Sequence, residues 1–377
     1  MMAEQLNKHI IVVGAGIVGA STAYHLAKKG VRVTVVDRKD PGQATEAAAG
    51  IICPWLSQRR NKAWYALAKN GAAYYETLIE MLEADGETET GYRKVGAISL
   101  HTDQEKLKKM EERAQVRRED APEIGRITPL SSEETRAKMP LLDSAYASVH
   151  VSGAARVNGR ALRDALIRGA KKHGATFIHG SATLIAGDQI IRGVEVDGDF
   201  LTADQVCVTA GAWAAELVRP LGISLQIRGQ KAQIAHLKVS EETANWPVVM
   251  PPNNQYMLAF DGGELVVGAT YEDDRDDLDC TVGGLHEIFD KALTVAPELK
   301  DATFVETKIG FRPVVPNFMP VIGPIPNVNN LWLVNGLGSS GLTVGPFLGS
   351  ELAKVVTGEI TTIDLTPYHV AQIIEEQ

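Results

Sequence analysis

The amino-terminal part of the chain combines two short apolar runs with a helical pattern between them. The stretch HIIVVGAGIVGASTAYHLAKKGVRVTVVDR, residues 9–38, reads as an apolar strand, a glycine-containing turn, a helix that ends at Gly30, and a second apolar strand that closes on Asp37. Short apolar runs bounded by turns favour strands, whereas apolar residues spaced by threes and fours favour a helix. The pattern predicts a strand–helix–strand unit at the start of an α/β fold.

Three glycines, in the order Gly14-x-Gly16-x-x-Gly19, lie in the turn between the first strand and the helix. Each has a mechanical reason: a tight turn, close approach of the backbone to a pyrophosphate, and close packing of the helix on the strand. The helix amino terminus presents free N–H groups to phosphates, and Asp37 can accept hydrogen bonds from ribose hydroxyls. Arg38 is expected to be solvated or to face an adenine. The alternative is an ordinary glycine turn, but the whole context predicts dinucleotide binding.

The next segments return to helices and strands of the same style. Residues 41–54 are small and almost uncharged, as expected of backbone laid flat against a ring system or, alternatively, of a loop that merely packs. Residues 61–85 have helical spacing and are expected to turn their apolar face to the core. Residues 155–180 predict a helix with Asn158 as its amino-terminal cap, followed by a strand.

An antiparallel region is predicted from residue 225 to 267. Its strands alternate between apolar and polar positions, and Asp261-Gly262 is expected to close a hairpin. Tyr256 and Met257 then lie on opposite faces of one strand, and one of these faces could line a cavity. The acidic segment 271–279 is expected to be a solvated loop whose charges have no role.

The carboxyl-terminal part repeats the strand–glycine–helix arrangement. An apolar strand precedes Gly336, Gly338 and Gly341, and a helix is expected to run from there to Gly358. The partial positive charge of a helix amino terminus suits the electron-rich edge of a bound ring system; the alternative is a turn that serves packing only. Another apolar strand ends in Gly211, which is typical of a second backbone platform in dinucleotide-binding folds.

Composition and charge limit the classes of function that the chain can have. A chain of 377 residues exceeds the usual size of one domain, so two domains are expected. A formal net charge of −9 without a Lys/Arg block argues against nucleic acid or an anionic membrane as partner. Three scattered cysteines form no disulfide or metal pattern, and no run approaches the roughly 18 apolar residues of a membrane span. The expectation is a cytoplasmic protein without a metal site that acts on a small molecule.

Five motifs together resemble a known family: GAGIVG with its acidic residue, AAAGII, TAGAW, FRP running into PVIG, and NGLGSSGLTVGP. Their combination resembles the D-amino acid oxidase family of FAD-dependent oxidoreductases, in particular its glycine oxidase and sarcosine oxidase branch, over nearly the whole chain. The resemblance implies a doubly wound, Rossmann-like FAD-binding domain of the glutathione reductase type and a substrate domain built on a mixed, mainly antiparallel sheet. The FAD-binding domain is expected to take residues 1–90, 145–220 and 310–377, and the substrate domain residues 91–144 and 221–309.

The resemblance also implies where FAD binds. The pyrophosphate is expected on the turn glycines, the ribose on Asp37, and the isoalloxazine along residues 49–51 and 338–343, while Thr45 corresponds to a phosphate-contacting hydroxyl. The cofactor-binding residues implied in this way are Gly14, Gly16, Ile17, Val18, Gly19, Asp37, Arg38, Thr45, Ala49, Gly50, Ile51, Leu184, Gly211, Gly338, Ser339, Ser340, Gly341, Leu342 and Thr343.

The activity implied by the resemblance is oxidation of the C–N bond of a small amino acid: a D-amino acid, glycine, or an N-alkyl amino acid such as sarcosine. A hydride passes to flavin N5, and the resulting imino acid hydrolyses to a keto acid and an amine. The flavin carries the chemistry, so no protein base is required. The protein is thus expected to be an amino acid oxidase or dehydrogenase that acts on CH–NH2 or CH–NH groups.

Three residues are the candidates for the catalytic site. Arg312 lies in an apolar, proline-flanked segment and is expected to pair bidentately with the substrate carboxylate; the alternative is an internal Asp or Glu partner. Tyr256 is expected to add its hydroxyl to the same carboxylate, or else to be a core tyrosine. Tyr271 corresponds to a residue over the flavin.

Departures from the family pattern leave several points open. Ser339 stands where the glycine oxidase branch has a second arginine, so specificity for glycine itself is open. Ala47 and the absence of a carboxyl-terminal cysteine indicate noncovalent FAD. Residues 268–279 lack the lysine that assists oxygen in sarcosine oxidases, so the acceptor is dioxygen, giving hydrogen peroxide, or a quinone or carrier protein. Asn317 replaces a commoner aspartate. A non-catalytic flavoprotein that serves binding or assembly, an NAD-dependent dehydrogenase, and a homo-oligomer stay open as alternatives.

Overall fold

The computed structural model describes residues 8–375. The strands, in chain order, are β1 His9–Val13, β2 Arg32–Asp37, β3 Ile51–Ile52, β4 Arg93–Lys94, β5 Ala97–His101, β6 Ile127–Leu130, β7 Ala147–Val151, β8 Ala155–Arg156, β9 Thr176–His179, β10 Ala182–Gly187, β11 Ile190–Val196, β12 Asp199–Thr202, β13 Gln205–Val208, β14 Arg228–Lys238, β15 Val248–Met250, β16 Tyr256–Ala259, β17 Glu264–Gly268, β18 Thr303–Val314, β19 Val321–Pro324 and β20 Leu331–Asn335. The α-helices are α1 Ile17–Lys28, α2 Ala44–Ala47, α3 Lys62–Ala84, α4 Gln104–Arg118, α5 Ser132–Lys138, α6 Gly159–Lys172, α7 Ala214–Val218, α8 Val282–Val295 and α9 Gly341–Val356.

A six-stranded sheet forms the dinucleotide-binding half, in the order β19-β20-β13-β1-β2-β9. Its strands are parallel except for β19, which pairs antiparallel with β20. Alternate residues of β1 explain why the strand is apolar throughout. Ile10 and Val12 pack with α1, α6 and α9 on one face, whereas Ile11 and Val13 pack against the three-stranded sheet β10-β11-β12 on the other. A parallel sheet covered on both faces is a doubly wound arrangement.

An eight-stranded sheet forms the other half, in the order β18-β14-β17-β16-β15-β5-β7-β6. It is mixed: β15 and β5 run parallel, and the other neighbouring pairs are antiparallel. On β16, Met257 packs into a core shared with α8, whereas Leu258 packs on the opposite face. The segment Asp261–Gly263 joins β16 to β17. These observations confirm the α/β fold with a second, mainly antiparallel sheet. They also confirm the hairpin at Asp261-Gly262.

Local signals account for several element boundaries. The side chain of Asn61 accepts a hydrogen bond from the N–H of Trp64 at the start of α3, and Asn158 caps α6 in the same way. The division into domains remains a prediction. Strand β7 belongs to the eight-stranded sheet although it lies just inside a segment assigned to the FAD-binding domain, and β18 crosses the boundary at residue 310. Within the described residues, no helix has the length and apolar character that crossing a bilayer requires.

Candidate active site

A cavity of about 810 Å³ lies between the carboxyl ends of the parallel strands and the eight-stranded sheet. Its volume is toward the upper end of the roughly 300 to 1,000 Å³ of ligand sites. One end is bounded by the turn after β1 and by Asp37, and the other by side chains from β16 and β18. Residues 44–51 and 337–343 form walls between the two ends. The cavity is therefore elongated and joins both halves of the molecule.

The glycine turn after β1 is shaped by two steric constraints and leaves one open approach. Gly14 has φ +103°, and a side chain there would meet the carbonyl of Thr209 at 2.6 Å. A Cβ at Gly19 would lie 1.9 Å from the Gly14 carbonyl oxygen, so this glycine allows α1 to pack on the turn. At Gly16 the nearest atom would be Thr45 Oγ1 at 3.5 Å, which leaves room for a ligand against the backbone. Gly16, the residue before α1, has no side chain to cap the helix, and the N–H of Ile17 in its first turn is bonded to Thr45 Oγ1.

Asp37 lies at the carboxyl end of β2 and faces the same end of the cavity. Its carboxylate accepts hydrogen bonds from the N–H groups of Ala15 and Lys39, both at 2.6 Å, and from Gln43 Nε2 at 3.1 Å. These donors fix the carboxylate on the cavity wall. Arg38 also lines the cavity. Its guanidinium forms an ion pair with Asp40, with Nη2 2.7 Å from Oδ2.

The small-residue segment predicted to lie against a ring system forms part of the middle wall. Gly50 has φ +95°, and a Cβ there would lie 1.8 Å from the carbonyl oxygen of Val157. Thr343 Oγ1 donates to the carbonyl of Ile51 at 3.0 Å, and Thr45 Oγ1 accepts from the N–H of Ile17 at 3.1 Å. Gly50 thus presents backbone to the cavity, because a side chain at this position would have no room against Val157.

The second glycine cluster brings another helix amino terminus to the cavity. Gly338, Ser339 and Gly341 line it, and no side chain caps α9. Ser340 instead turns away from the cavity, where its Oγ accepts a hydrogen bond from Trp64 Nε1 at 3.0 Å. Two helices of 12 and 16 residues therefore direct their amino termini at one cavity, and of the first N–H groups of α1 that of Ile17 is already bonded to Thr45. Each end favours an electron-rich group through its free N–H groups and the helix dipole.

Arg312 is half-buried on the wall contributed by β18. Its guanidinium lies 4.5 Å from the ring centre of Tyr271, and Nη1 donates to the carbonyl of Thr270 at 3.0 Å and to Gln230 Oε1 at 3.4 Å. Within residues 8–375 no Asp or Glu forms an ion pair with Arg312. The alternative of an internal carboxylate partner therefore has no counterpart in this part of the chain.

Two tyrosines accompany Arg312. Burial raises the pKa of Tyr256 to about 12, although the nearby positive charge of Arg312 acts in the opposite direction. The phenol is therefore protonated at neutral pH and can donate a hydrogen bond. Tyr271 lines the cavity but is 45% exposed, which places it at the mouth.

The structure brings most of the predicted site residues to the cavity wall, but not all. Gly19 serves packing, Ser340 bonds to Trp64, and Leu184 is buried in the core between the six-stranded sheet and β10–β12. The residues just before Leu184, from Gly180 to Thr183, line the cavity instead. Side chains alternate between the two faces of β10, and Leu184 lies on the face that points into the core. A strand predicted without its exact register does not show which of its residues face the cavity.

The expectation that the charges of segment 271–279 have no role is wrong. Lys231 on β14 is fully buried, and its Nζ donates to Asp277 Oδ1 at 2.6 Å and to the carbonyl of Asp279 at 2.8 Å. Glu272 accepts from Gln233 Nε2 at 2.7 Å, and Asp273 from Gln230 Nε2 at 2.8 Å. These contacts fasten to the sheet the loop that carries Tyr271. The available signal was the group of polar residues at positions 230, 231 and 233 within β14.

Comparison with known proteins agrees with this geometry. A family model, DAO, described as FAD dependent oxidoreductase, matches residues 9–355. The uncharacterized oxidoreductase YurR of Bacillus subtilis (strain 168) is 61% identical over 96% of this chain and 98% of that protein. Glycine oxidase of Pseudomonas aeruginosa (strain PAO1) is 30% identical over 96% and 98%.

A solved structure is similar over the same extent. The crystal structure of iminodiacetate oxidase (IdaA) from Chelativorans sp. BNC1 superposes with a TM-score of 0.93 at 43% identity, covering 96% of this chain and 98% of that one. The family match spans both sheets and both glycine turns. The chain therefore belongs to the DAO family of FAD-dependent oxidoreductases, and its cofactor is FAD.

Proposed function

We propose that the protein oxidises the C–N bond of a small amino acid whose carboxylate is bound by Arg312. The observation that carries the proposal is the half-buried guanidinium on the cavity wall without an Asp or Glu partner among the described residues. A guanidinium removed from water requires an anion or other acceptors to offset its lost hydration. Its forked donors match a carboxylate.

The cavity fits FAD in its extended form. The amino-terminal end of α1 and the backbone at Gly16 would receive the pyrophosphate, and Asp37 the ribose. The uncapped end of α9 would face the electron-rich edge of the isoalloxazine, beside Ala49 to Ile51. The chemistry that bound FAD would supply is acceptance of a hydride from the substrate α carbon and transfer of the two electrons to dioxygen or another acceptor. The nicotinamide alternative is set aside because the family is FAD-dependent.

The side chains of this chain bind and orient the substrate. Arg312 holds the carboxylate, the protonated hydroxyl of Tyr256 donates to it, and Tyr271 closes the mouth. Among the described residues no His or Cys lines the cavity, and the acidic residues that line it lie near Asp37 and Arg38 at the dinucleotide end, so no side chain at the substrate end is assigned as base. The amine releases one proton as the C–N bond becomes an imine, and water then converts the imino acid to a keto acid and an amine.

The similar proteins support a small substrate with a free carboxylate. One is named glycine oxidase and another iminodiacetate oxidase, and both names specify an amine that carries a carboxylate. The acceptor is dioxygen, as in an oxidase, or a quinone or carrier protein, as in a dehydrogenase. We propose that the FAD is noncovalent, which release of the flavin by acid precipitation would test.

Anaerobic mixing of the holoprotein with glycine, sarcosine, proline and D-amino acids tests the proposal. Loss of flavin absorbance with at least one amine, and its recovery in air or with a quinone, is the expected result. The same loss is expected to disappear in Arg312→Ala at equal substrate concentration. A flavin that stays oxidised with every amine would contradict the proposal and would favour a non-catalytic binding protein.

A further inference from the structure

A second cavity of about 350 Å³ adjoins the first on the side of the substrate end. The two share the wall formed by Tyr271 and residues 337–339. We call the second one the side cavity. It contains an arginine, Arg59, which is absent from the wall of the main cavity and which none of the sequence motifs includes.

Neutral groups hold the guanidinium of Arg59 in place. It lies 4.8 Å from the ring centre of Trp64, and Nη2 donates to the carbonyls of Phe318 at 2.6 Å and Asn317 at 3.2 Å. Across residues 8–375, no Asp or Glu lies within ion-pair distance of it. Partial burial lowers the pKa of Arg59. The positive charge is therefore fixed toward the side cavity without an anion to neutralise it.

A neutral polar residue connects the two arginines. Gln230 Oε1 accepts from Arg312 Nη1 at 3.4 Å, and the Gln230 side chain also lines the side cavity together with Arg59. Tyr271, whose ring lies over Arg312, is part of both walls. Asp273, which accepts a hydrogen bond from Gln230 Nε2, is also bonded to Arg228. Arg312 and Arg59 thus line two adjoining cavities, and among the described residues Arg59 is the only charged residue on the wall of the side cavity.

We propose that Arg59 binds a second carboxylate of the substrate, which is then a secondary amine with a carboxylate on each arm, an N-(carboxyalkyl) amino acid. The inference rests on the proposed function and adds the substrate class to it. With one carboxylate on Arg312, the substituent on the amine nitrogen extends past Ser339 into the side cavity. The short side chain of Ser339 leaves this path open, and Arg59 meets the second carboxylate at its end.

A purely structural role of Arg59 makes a different prediction. Asn317 and Phe318 have φ of +59° and +53°, and Arg59 bonds to the carbonyls of both. If Arg59 served only to hold this turn, its loss would affect all substrates alike. Substrates that differ only in the second carboxylate therefore separate the two roles.

Iminodiacetate and sarcosine form this matched pair, because the first has an N-carboxymethyl group where the second has an N-methyl group. Rates of anaerobic flavin reduction and kcat/KM would be measured for both, and for glycine, with wild-type holoenzyme, Arg59→Gln, Arg59→Lys and Arg60→Gln. Arg60 is the exposed neighbour of Arg59 and lines neither cavity, so Arg60→Gln is the control for loss of one positive charge.

Wild type is expected to prefer iminodiacetate over sarcosine by on the order of 100-fold in kcat/KM, the size of effect given by a desolvated charge pair. Arg59→Gln is expected to remove this preference through KM for iminodiacetate, with about a threefold change or less for sarcosine. Arg59→Lys is expected to keep part of the preference, and Arg60→Gln all of it.

Three results would overturn the inference. A wild-type enzyme that reduces its flavin faster with sarcosine or glycine than with iminodiacetate refutes it while the proposed function stands. An equal loss for iminodiacetate and sarcosine in Arg59→Gln assigns Arg59 to the turn alone. A flavin that no amine reduces removes the proposed function, and the inference with it.

Discussion

The two ends of the main cavity recognise their ligands in different ways. At the dinucleotide end, one continuous segment from Gly14 to Asp37 supplies a turn, a helix terminus and a carboxylate. At the substrate end, Gln230, Tyr271 and Arg312 come from separate parts of the chain that only the eight-stranded sheet brings together. The first end depends mainly on backbone groups, which persist through most substitutions. The second depends on single side chains. Substrate recognition at this end can therefore change during evolution, and one point mutation can abolish it.

The largest effect is expected at the substrate end. Arg312→Gln removes the charge but keeps a side chain of similar length, and kcat/KM for the best amine is expected to fall about 1,000-fold, which corresponds to about 4 kcal/mol. FAD affinity is expected to stay within about threefold, because the cofactor is held at the other end and along the middle wall. Steady-state kinetics and flavin titration of the apoprotein measure the two quantities.

Lys308→Gln is the control for this variant. Lys308 lies four residues earlier on β18, is absent from the wall of the main cavity, and pairs with Glu306. Its substitution changes the same charge and is expected to leave kcat/KM nearly unchanged. Equal losses in both variants would mean that Arg312 acts through the net charge of the strand and not through contact with the substrate.

The second-largest effect is expected at the dinucleotide end. In Gly16→Ala the new methyl group meets only Thr45 Oγ1 at 3.5 Å, so the apoprotein is expected to keep its melting temperature. The methyl group projects where the pyrophosphate approaches, and FAD affinity is expected to fall about 30-fold, which corresponds to about 2 kcal/mol. Differential scanning calorimetry of the apoprotein and flavin titration check the two parts.

Gly19→Ala is the counterpart, because its methyl group would lie 1.9 Å from the Gly14 carbonyl oxygen. Backbone must then move, so the apoprotein itself is expected to lose several degrees of thermal stability. If both alanine variants lowered the melting temperature equally, the distinction between a ligand-facing and a packing glycine would be wrong.

The same contrast explains what the sequence could predict. The strand–helix–strand unit, the cap at Asn158 and the glycine turns depend on neighbours within a few residues, and all are found in the structure. Arg312 could be singled out because a charge in an apolar segment is unusual. Arg59 gave no such signal, since its relation to the site depends on packing between β18 and the segment before α3.

Lys231 was missed for a similar reason, and it gives a smaller expected effect. The buried ammonium of Lys231 donates to Asp277 and to the carbonyl of Asp279, so Lys231→Met, which removes these donors, is expected to loosen the loop that carries Tyr271. KM for the amine is expected to rise about tenfold, equivalent to about 1.4 kcal/mol, with FAD affinity unchanged. Lys238→Met, an exposed lysine on the same strand, is the control and is expected to show neither change. An unaltered KM in Lys231→Met would show that the loop keeps its position without this contact.

The smallest effect on the cavity is expected from Asp85, which lies away from both ends. Lys28 donates to its carboxylate at 2.7 Å, Tyr24 at 2.5 Å, and His173 contacts it at 3.0 Å, so it joins α1, the end of α3 and the end of α6. Burial acts to raise the pKa of Asp85, but these hydrogen bonds outweigh it and lower the pKa. Asp85→Asn is expected to reduce the free energy of unfolding by about 1 kcal/mol at pH 7, with kcat/KM and FAD affinity unchanged.

The pH dependence of this loss identifies its cause. A carboxyl group whose pKa is lower in the folded than in the unfolded state stabilises the protein fully above the unfolded value of about 3.9. That stabilisation disappears as the pH falls through the lowered pKa of the folded state. Urea unfolding of wild type and Asp85→Asn should therefore differ at pH 7 and converge as the pH falls below about 4. A difference that persists undiminished in acid would mean that Asp85 contributes through the shape of its contacts and not through its charge.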